Sequence, residues 1–429
     1  MTMSREAVAV DGGEIPRDAR ARAEGRSIGG SGGKAGSLFA TAGFGLSGAA
    51  FTIGMLMLAR ALPVEAYGRF TLAIAMFNVF GLLTPLGVDQ LLLRQRIDPG
   101  PRFLAFLLGA GTVMGALVAL IVVGIGGLRP MEGFWMAVAV CAGGIVSTTN
   151  LGLRVHHQPV RSMALATAAS FILLVAGVAA VPLGIRDPAA PLAFFALGNA
   201  VCAGLGWRAL SSGYRVPPAD RDSILWKEAF SFFGIVALGS ISLQIERLII
   251  PVPLGMQELA VFAVLAAVAI FPFRLLAAGV SFTLAPRLRH AADLRACYRA
   301  VRAEIVLLTF ISVAGSATLS LLGPWAARII AGDQYRIGVG LMLAACFNGV
   351  TKVIMAIPRA IVTACGSTRD IVRLNSFGLL WLAAVIGGAV LGARYGLEGL
   401  LWTASLGGLV AQLPSIMLAR NCLERSGRT

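Results

Sequence analysis

The sequence predicts an all-α integral membrane protein of about twelve transmembrane helices, and three observations carry that prediction. First, 57% of the 429 residues are hydrophobic and only 13% are charged, about half the charged fraction of a soluble domain. So little polar surface cannot cover so much apolar area in water. Second, the apolar residues fall in twelve stretches, each about the 20 residues a helix needs to cross hydrocarbon. Third, those stretches are continuous rather than alternating, which excludes a β-barrel. The composition also excludes a soluble enzyme, a nucleic-acid-binding domain, a disordered chain and a disulfide scaffold.

Residues 1–36 are polar, mix Arg with acids and carry a Gly/Ser run from Gly29 to Gly33. The expectation is a disordered cytoplasmic tail. It is not a secretory signal, because its charged part is too long and the first apolar run is already span-length. Six spans come next, at 37–59, 70–93, 103–127, 133–153, 162–184 and 189–207. Their connections are short and rich in turn residues, as in Asp98-Pro99-Gly100-Pro101, Arg129-Pro130 and Arg186-Asp187-Pro188. A longer polar linker at 208–228, with Pro217-Pro218, separates them from spans at 229–250, 259–285, 305–322, 338–358, 374–392 and 399–419. The predicted domains are therefore six-helix bundles at 37–207 and 229–419, and a cytoplasmic tail at 420–429.

With the N-terminus in the cytoplasm, 26 of the 36 Lys and Arg fall in inner segments and seven in outer loops: Arg60, Arg69, Arg129, Arg186, Arg328, Arg336 and Arg394. The positive-inside rule then places both termini in the cytoplasm. This asymmetry accounts for the net charge of +15 without a nucleic-acid partner. The outer loops are short, which leaves no room for a catalytic domain.

Little catalytic chemistry is encoded. Cys141, Cys202, Cys297, Cys346, Cys365 and Cys422 contain no C-x-x-C pair, and His156, His157 and His290 are too few for a metal cage. No disulfide, metal or cofactor is expected. Gly45-Leu46-Ser47-Gly48 matches the G-x-S-G of intramembrane serine proteases, but every His lies in a connection, far from a buried Ser. Small residues that ease helix packing explain it better, as they do Gly111-x-x-x-Gly115 and Gly388-x-x-x-Gly392. There is no P-loop and hence no encoded ATP-driven pump.

Charges inside spans are costly unless they face a cavity or a partner. Five positions qualify: Asp89, Glu246, Arg247, Arg274 and Lys352. Arg274 follows Pro272 deep in the eighth span, either contacting an anionic substrate or paired with a carboxylate or helix carbonyls. Lys352 lies nearer the inner end of the tenth span, where its stem can snorkel. Glu246-Arg247 ends the seventh span near the outer surface, as an interfacial ion pair or as a gate or ion-coupling site. Asp89 is either bridged locally to Arg94 or Arg96, or a proton or Na⁺ site. Asn78, Gln90, Asn150, Asn199, Gln244 and Asn348 are candidates to line a sugar-binding cavity or to bond between helices.

Local motifs sharpen the reading. Arg60-Ala61-Leu62-Pro63-Val64-Glu65-Ala66-Tyr67-Gly68-Arg69-Phe70 opens the second span, which closes with Leu86-Gly87-Val88 and then Arg94. Glu246-Arg247-Leu248-Ile249-Ile250 ends the seventh, and Ala285-Pro286-Arg287-Leu288 the eighth. Ala331-Gly332-Asp333-Gln334-Tyr335 precedes the tenth, and Tyr395-Gly396-Leu397-Glu398-Gly399 the twelfth. In order and spacing, from about residue 36 to 420, these resemble the polysaccharide transporter branch, which includes O-antigen-type flippases, of the multidrug/oligosaccharidyl-lipid/polysaccharide exporter (MOP) superfamily. That family more often has Asp where Glu246 stands, and the N-terminal tail falls outside the likeness. A weak repeat lays Leu62–Phe70 on Leu254–Phe262, which suggests two bundles around a central cavity and alternating access.

The resemblance implies a flippase that moves a polyprenyl-diphosphate-linked oligosaccharide to the outer leaflet of a bacterial inner membrane. It serves lipopolysaccharide or exopolysaccharide assembly beside a polymerase and export machinery, with membrane lipid as its surroundings. Arg274, Lys352 and Arg247 are the expected diphosphate or sugar contacts, and Asp89 and Glu246 the expected H⁺- or Na⁺-coupling or gating residues. Three other classes stay open: a related multidrug or small-molecule exporter, a membrane enzyme of polysaccharide assembly, and a non-transporting scaffold. A cation exporter favours an acidic cavity, and an enzyme needs catalytic groups and outer loops that this chain lacks.

Overall fold

The computed structural model describes residues 32–95, 99–156, 158–212, 226–289 and 293–426. Most of the expected disordered tail, residues 213–225 of the linker, Arg96, His157 and His290 lie outside the described residues. The chain divides into two units, residues 1–45 and 46–429. The described part of the first, 32–45, is helical, and the second holds the helical bundle.

Fifteen α-helices are described: α1 (Gly32–Ala61), α2 (Val64–Leu83), α3 (Val88–Gln95), α4 (Pro101–Gly124), α5 (Pro130–Val155), α6 (Pro159–Ala180), α7 (Ala189–Ser211), α8 (Trp226–Ile249), α9 (Pro251–Leu265), α10 (Phe271–Arg289), α11 (Leu294–Ala331), α12 (Val339–Cys365), α13 (Thr368–Gly392), α14 (Gly396–Val410) and α15 (Leu413–Ser426). Among the described residues, ten helical stretches are long and apolar enough to cross a membrane. One of them, Arg369–Arg425, contains the last two predicted spans, and Gly45–Ala61 is a shorter apolar helix. Each of the twelve predicted spans falls mainly on helix. Outward-facing apolar side chains such as Leu120, Phe310 and Leu321, each more than 70% exposed, suit hydrocarbon rather than water.

The spans are less uniform than expected, and proline and glycine explain most departures. The second span breaks at residues 84–87. Leu86 (φ 53°) and Gly87 (φ 79°) both take left-handed backbone, at a cost of about 1–2 kcal/mol for the leucine. A Cβ on Gly87 would also overlap the Ala229 carbonyl. The eighth span is composite: α9 passes through Gly255 (φ 85°), a π turn occupies Ala266–Ile270, and α10 begins just before Pro272. In that π turn the Phe271 amide reaches back to Ala266 O, and Pro272 has no amide with which to continue the ladder. The twelfth span divides before Pro414, which cannot donate to the Val410 carbonyl, and resumes as α15. Residues 420–426, expected as tail, belong to that helix.

Close packing centres on α2, which contacts α5, α8 and α9, and on α12, which contacts α10, α11, α14 and α15. Small residues set the approach. Gly111 and Gly115 meet Cys141 and the Ala137 backbone of α5, and Gly388 and Gly392 meet Thr403 and Gly399 of α14. Gly68 faces the Met256 carbonyl so closely that a Cβ would overlap it. The two segments aligned as a repeat therefore pack against each other. Gly68→Ala is expected to cost about 1–3 kcal/mol through overpacking, read from unfolding in detergent. Gly109→Ala, with nothing within 4 Å of its Cβ, is the neutral control.

Pro63 explains a further tie. It has no amide, so the Ala59 carbonyl four residues earlier loses its helical donor. Gln334 Nε2 supplies one at 2.6 Å and Tyr335 Oη another at 3.3 Å. The Tyr335 ring meets Tyr67 edge-on, with centroids 6.2 Å apart. The motif before the tenth span thus docks on the motif that opens the second.

Candidate functional site

Four of the five charges predicted inside spans lie together where side chains of α10 and α12 reach α8. Lys352 stands near the middle of the 27-residue α12, and its Nζ donates to Glu246 Oε1 of α8 at 2.6 Å. Asn348, one turn earlier, donates Nδ2 to the same oxygen at 3.3 Å and to Ser405 Oγ of α14 at 3.0 Å. Lys352 Nζ also lies 4.8 Å from the centroid of the Trp381 ring on α13, a cation–π distance. Arg247 Nη1 donates to Gln244 Oε1 at 3.1 Å. Arg274 emerges directly after the π turn and donates Nη2 to the Leu243 carbonyl at 2.9 Å. Glu246, Arg247 and Asn348 are buried, at 3%, 6% and 2% exposure.

Two properties define the cluster. It gathers one carboxylate against three cations, an excess of two positive charges in a setting that penalises unbalanced charge. It is also rich in buried polar atoms without a hydrogen-bond partner: Glu246 Oε2, Arg247 Nε, Arg274 Nε, Asn348 Oδ1, Trp381 Nε1 and Gln412 Oε1. Such atoms are rare in folded proteins. These are six of the eight among the described residues, and the other two, on Tyr67 and Thr71, belong to α2. Arg359, two turns beyond Lys352, lines a cleft of about 10 Å³ with Trp381 and Gln412.

Three local expectations are corrected. Glu246 and Arg247 do not form an interfacial pair: both are buried, and Glu246 is tied to Lys352, 106 residues away. Lys352 is not near a helix end and does not snorkel, because α12 runs seven residues beyond the predicted span. Asp89 is not bridged to Arg94, which pairs with Glu228. Asp89 is instead 2% exposed, in the first turn of α3. It receives Gln90 Nε2 at 3.4 Å and Ser147 Oγ of α5 at 3.5 Å, and among the described residues no cation pairs with it. The helix N-terminus favours a negative charge there.

Asp89 thus stands apart from the cluster. Its partner Ser147 lines a second cavity of about 260 Å³ together with Asn78, Asn150, Ser170 and Asn199. Three of the six predicted polar lining residues therefore face one space. Gln90, Gln244 and Asn348 instead bond to neighbouring side chains. Ser47 donates to Ser170 at 2.9 Å, and Gly48 abuts the Phe271 ring, the packing role expected for that motif. Among the described residues no group of three His, Cys, Asp or Glu is placed to hold a metal.

Sequence reasoning misses Trp381, Gln412 and Ser405, ordinary members of apolar runs with no periodic signal. It also takes Arg69 for a loop cation. Arg69 is buried in α2, bonded to Glu65 at 2.6 Å and to Glu132 of α5 at 3.1 Å. The i,i+4 spacing of Glu65 and Arg69 is the available signal.

No family model and no curated protein matches the sequence. Solved structures match in fold. The lipid II flippase MurJ, in an inward closed conformation, superposes with a TM-score of 0.67 at 9% identity over 91% of this chain and 90% of its own. An inward-facing multidrug resistance MATE family transporter of the MOP superfamily gives 0.62 at 15% identity over 89% and 96%. A MOP superfamily transporter from Pyrococcus furiosus, described as having a reverse polarity of its binding pocket that suggests a different function, gives 0.56 at 17% over 91% and 97%. The chain has the fold of these transporters.

Proposed function

We propose that the chain is a MOP-superfamily flippase that moves a polyprenyl-diphosphate-linked oligosaccharide from the cytoplasmic to the outer leaflet of a bacterial inner membrane, for cell-surface polysaccharide assembly. The observation that carries this reading is the cluster of buried Arg247 and part-buried Arg274 and Lys352 around the buried acid Glu246. A diphosphate brings the opposite charge and several acceptor oxygens. It offsets the excess cations, satisfies the guanidinium donors left without partners, and gains charge-assisted hydrogen bonds. MurJ, a lipid II flippase, shares the fold and lends the lipid-linked substrate class.

The residues then have separate roles. Arg274 and Arg247 hold the diphosphate, and Lys352 exchanges Glu246 for it. Glu246 recaptures Lys352 after release, resetting the site as two six-helix bundles at 37–207 and 229–419 rock about it. Both termini are cytoplasmic, and the process ends at a polymerase and export machinery. Asp89, buried and without a cation partner among the described residues, is the coupling site for H⁺ or Na⁺, and its neutralisation lets α3 rearrange at the break over 84–87.

A multidrug exporter is the second reading, because MATE transporters share the fold. The polarity of the cluster disfavours an organic cation and favours an anion.

Proteoliposomes with purified protein and a lipid-linked oligosaccharide test the proposal, with a non-permeant glycosidase reporting outer-leaflet sugar. Protein-dependent cleavage of the inner pool is expected. None, with folded protein and several candidate lipids, overturns the flippase reading. Asp89→Asn is expected to retain slow flipping and lose its acceleration by an imposed proton or Na⁺ gradient. Unaltered gradient dependence removes Asp89 from coupling.

A further inference from the structure

An apolar groove of about 650 Å³ runs between α11, α12 and α15, within the size range of small-ligand sites. Its walls include Ile305, Val313, Ile354 and Leu423, with Tyr298 and Arg420 also lining it. Its counterpart between α4, α5 and α7 holds about 610 Å³ and is lined by uncharged residues alone. Both grooves are built from the third, fourth and sixth spans of their halves. A groove is therefore a property of the repeat, and charge distinguishes this one.

That charge is continuous with the groove. Arg295, Arg302, Thr309 and Ser316 recur every seven residues along α11, which keeps them on one helix stripe. Thr309 and Ser316 line the groove, as do Val301 and Ile305 on either side of Arg302, so Arg302 flanks that wall and Arg295 lies about one turn beyond its end at Tyr298. At 38 residues, α11 is roughly 57 Å long, well over the roughly 30 Å of hydrocarbon, so its first turns project past the membrane core. Arg420 stands at the same end, because Arg425 on the next turn of α15 pairs with Asp370, just past the end of α12. Arg295 and Arg302 are exposed and have no acid partner among the described residues. Arg420 is shared with Glu424 at 2.9 Å.

We propose that this groove binds an anionic membrane phospholipid, one acyl chain lying along α11 and the headgroup phosphate held by Arg302 and Arg420, with Arg295 at the rim. Basic pockets between transmembrane helices recognise such headgroups. The site shares no residue with the Glu246–Lys352 cluster and stands or falls independently of the proposed transport.

Full-length protein stripped of lipid in detergent is offered dioleoyl phosphatidylglycerol, dioleoyl phosphatidylcholine or undecaprenyl phosphate, and bound lipid is counted by native mass spectrometry. Phosphatidylglycerol is expected to be preferred over phosphatidylcholine by roughly 25-fold, about fivefold for each of two arginines. Arg302→Gln with Arg420→Gln brings the ratio near one without touching the core. Ser316→Trp, which fills the groove, lowers phosphatidylglycerol occupancy, whereas Thr112→Trp in the uncharged groove does not. Equal retention of the two phospholipids by the wild type, or a preference untouched by the double substitution, overturns the proposal. Displacement of phosphatidylglycerol by equimolar undecaprenyl phosphate also overturns it and assigns the groove to an isoprenoid chain.

Discussion

Lys352→Met is expected to destabilise the protein by about 1.5–3 kcal/mol, because it removes the charged hydrogen-bond donor of the buried Glu246 carboxylate and leaves only the arginines of the cluster to balance it. Methionine keeps most of the volume and the contact with Trp381, so the loss reports the charge. Of the side-chain hydrogen-bond donors to Glu246 only Asn348 then remains among the described residues, at 3.3 Å, and one neutral donor does not replace an ammonium at 2.6 Å. Pairing the change with Glu246→Gln removes both charges and is expected to recover most of the stability, since replacing a whole buried pair is often nearly neutral. Unfolding in detergent, with a double-mutant cycle, measures the coupling. Transport separates structure from mechanism. The double mutant folds but fails to flip if Lys352 must exchange Glu246 for substrate. Recovery of both stability and transport makes the pair a structural tie and removes it from the cycle.

That pair also marks how far the sequence can be read. The twelve spans and the exceptional standing of Glu246, Arg247, Arg274 and Lys352 are legible, because length, hydropathy and intramembrane charge are local properties. The joining of Glu246 to Lys352 is not, since 106 residues separate them and both lie in runs apolar on every side, where periodicity names no facing partner. Burial misleads in the same way: apolar length alone puts Lys352 near a helix end, because the apolar run stops seven residues before α12 does. Helical geometry continues past the last apolar residue as far as caps allow. The division of the second span at Leu86 and Gly87 is signalled by Pro85-Leu86-Gly87, but a break inside an apolar run looks like its end. Arg69 shows the converse. It sits at a span boundary and reads as an outer-loop cation, yet Glu65 and Glu132 hold it inside the fold. The charge asymmetry that predicts cytoplasmic termini is wide enough to stand without it.

Arg274→Ala distinguishes the transport readings because they require opposite signs. In a flippase for a diphosphate-linked lipid, the guanidinium offsets charge in the occupied site. Its loss should lower flipping by roughly 10- to 150-fold, the value of one charge-assisted hydrogen bond. Stability should change little. Among the described residues the hydrogen bond lost is from Nη2 to the Leu243 carbonyl, which retains its place in the ladder of α8, and the Arg274 Nε has no partner there to lose. Arg274→Lys should fall between, keeping the charge without the fork that grips two oxygens. Arg247→Ala should behave like Arg274→Ala in transport but cost more stability, since Arg247 is almost wholly buried. For a cation exporter the same substitutions remove a repulsive charge and should raise transport of an organic cation. A scaffold should be indifferent. Flipping of lipid-linked oligosaccharide and efflux of a fluorescent cation, measured on the same variants at matched amounts of folded protein, therefore give three separable patterns. Normal flipping by well-folded Arg274→Ala would remove that residue from the anion site and leave Arg247 and Lys352 to carry it.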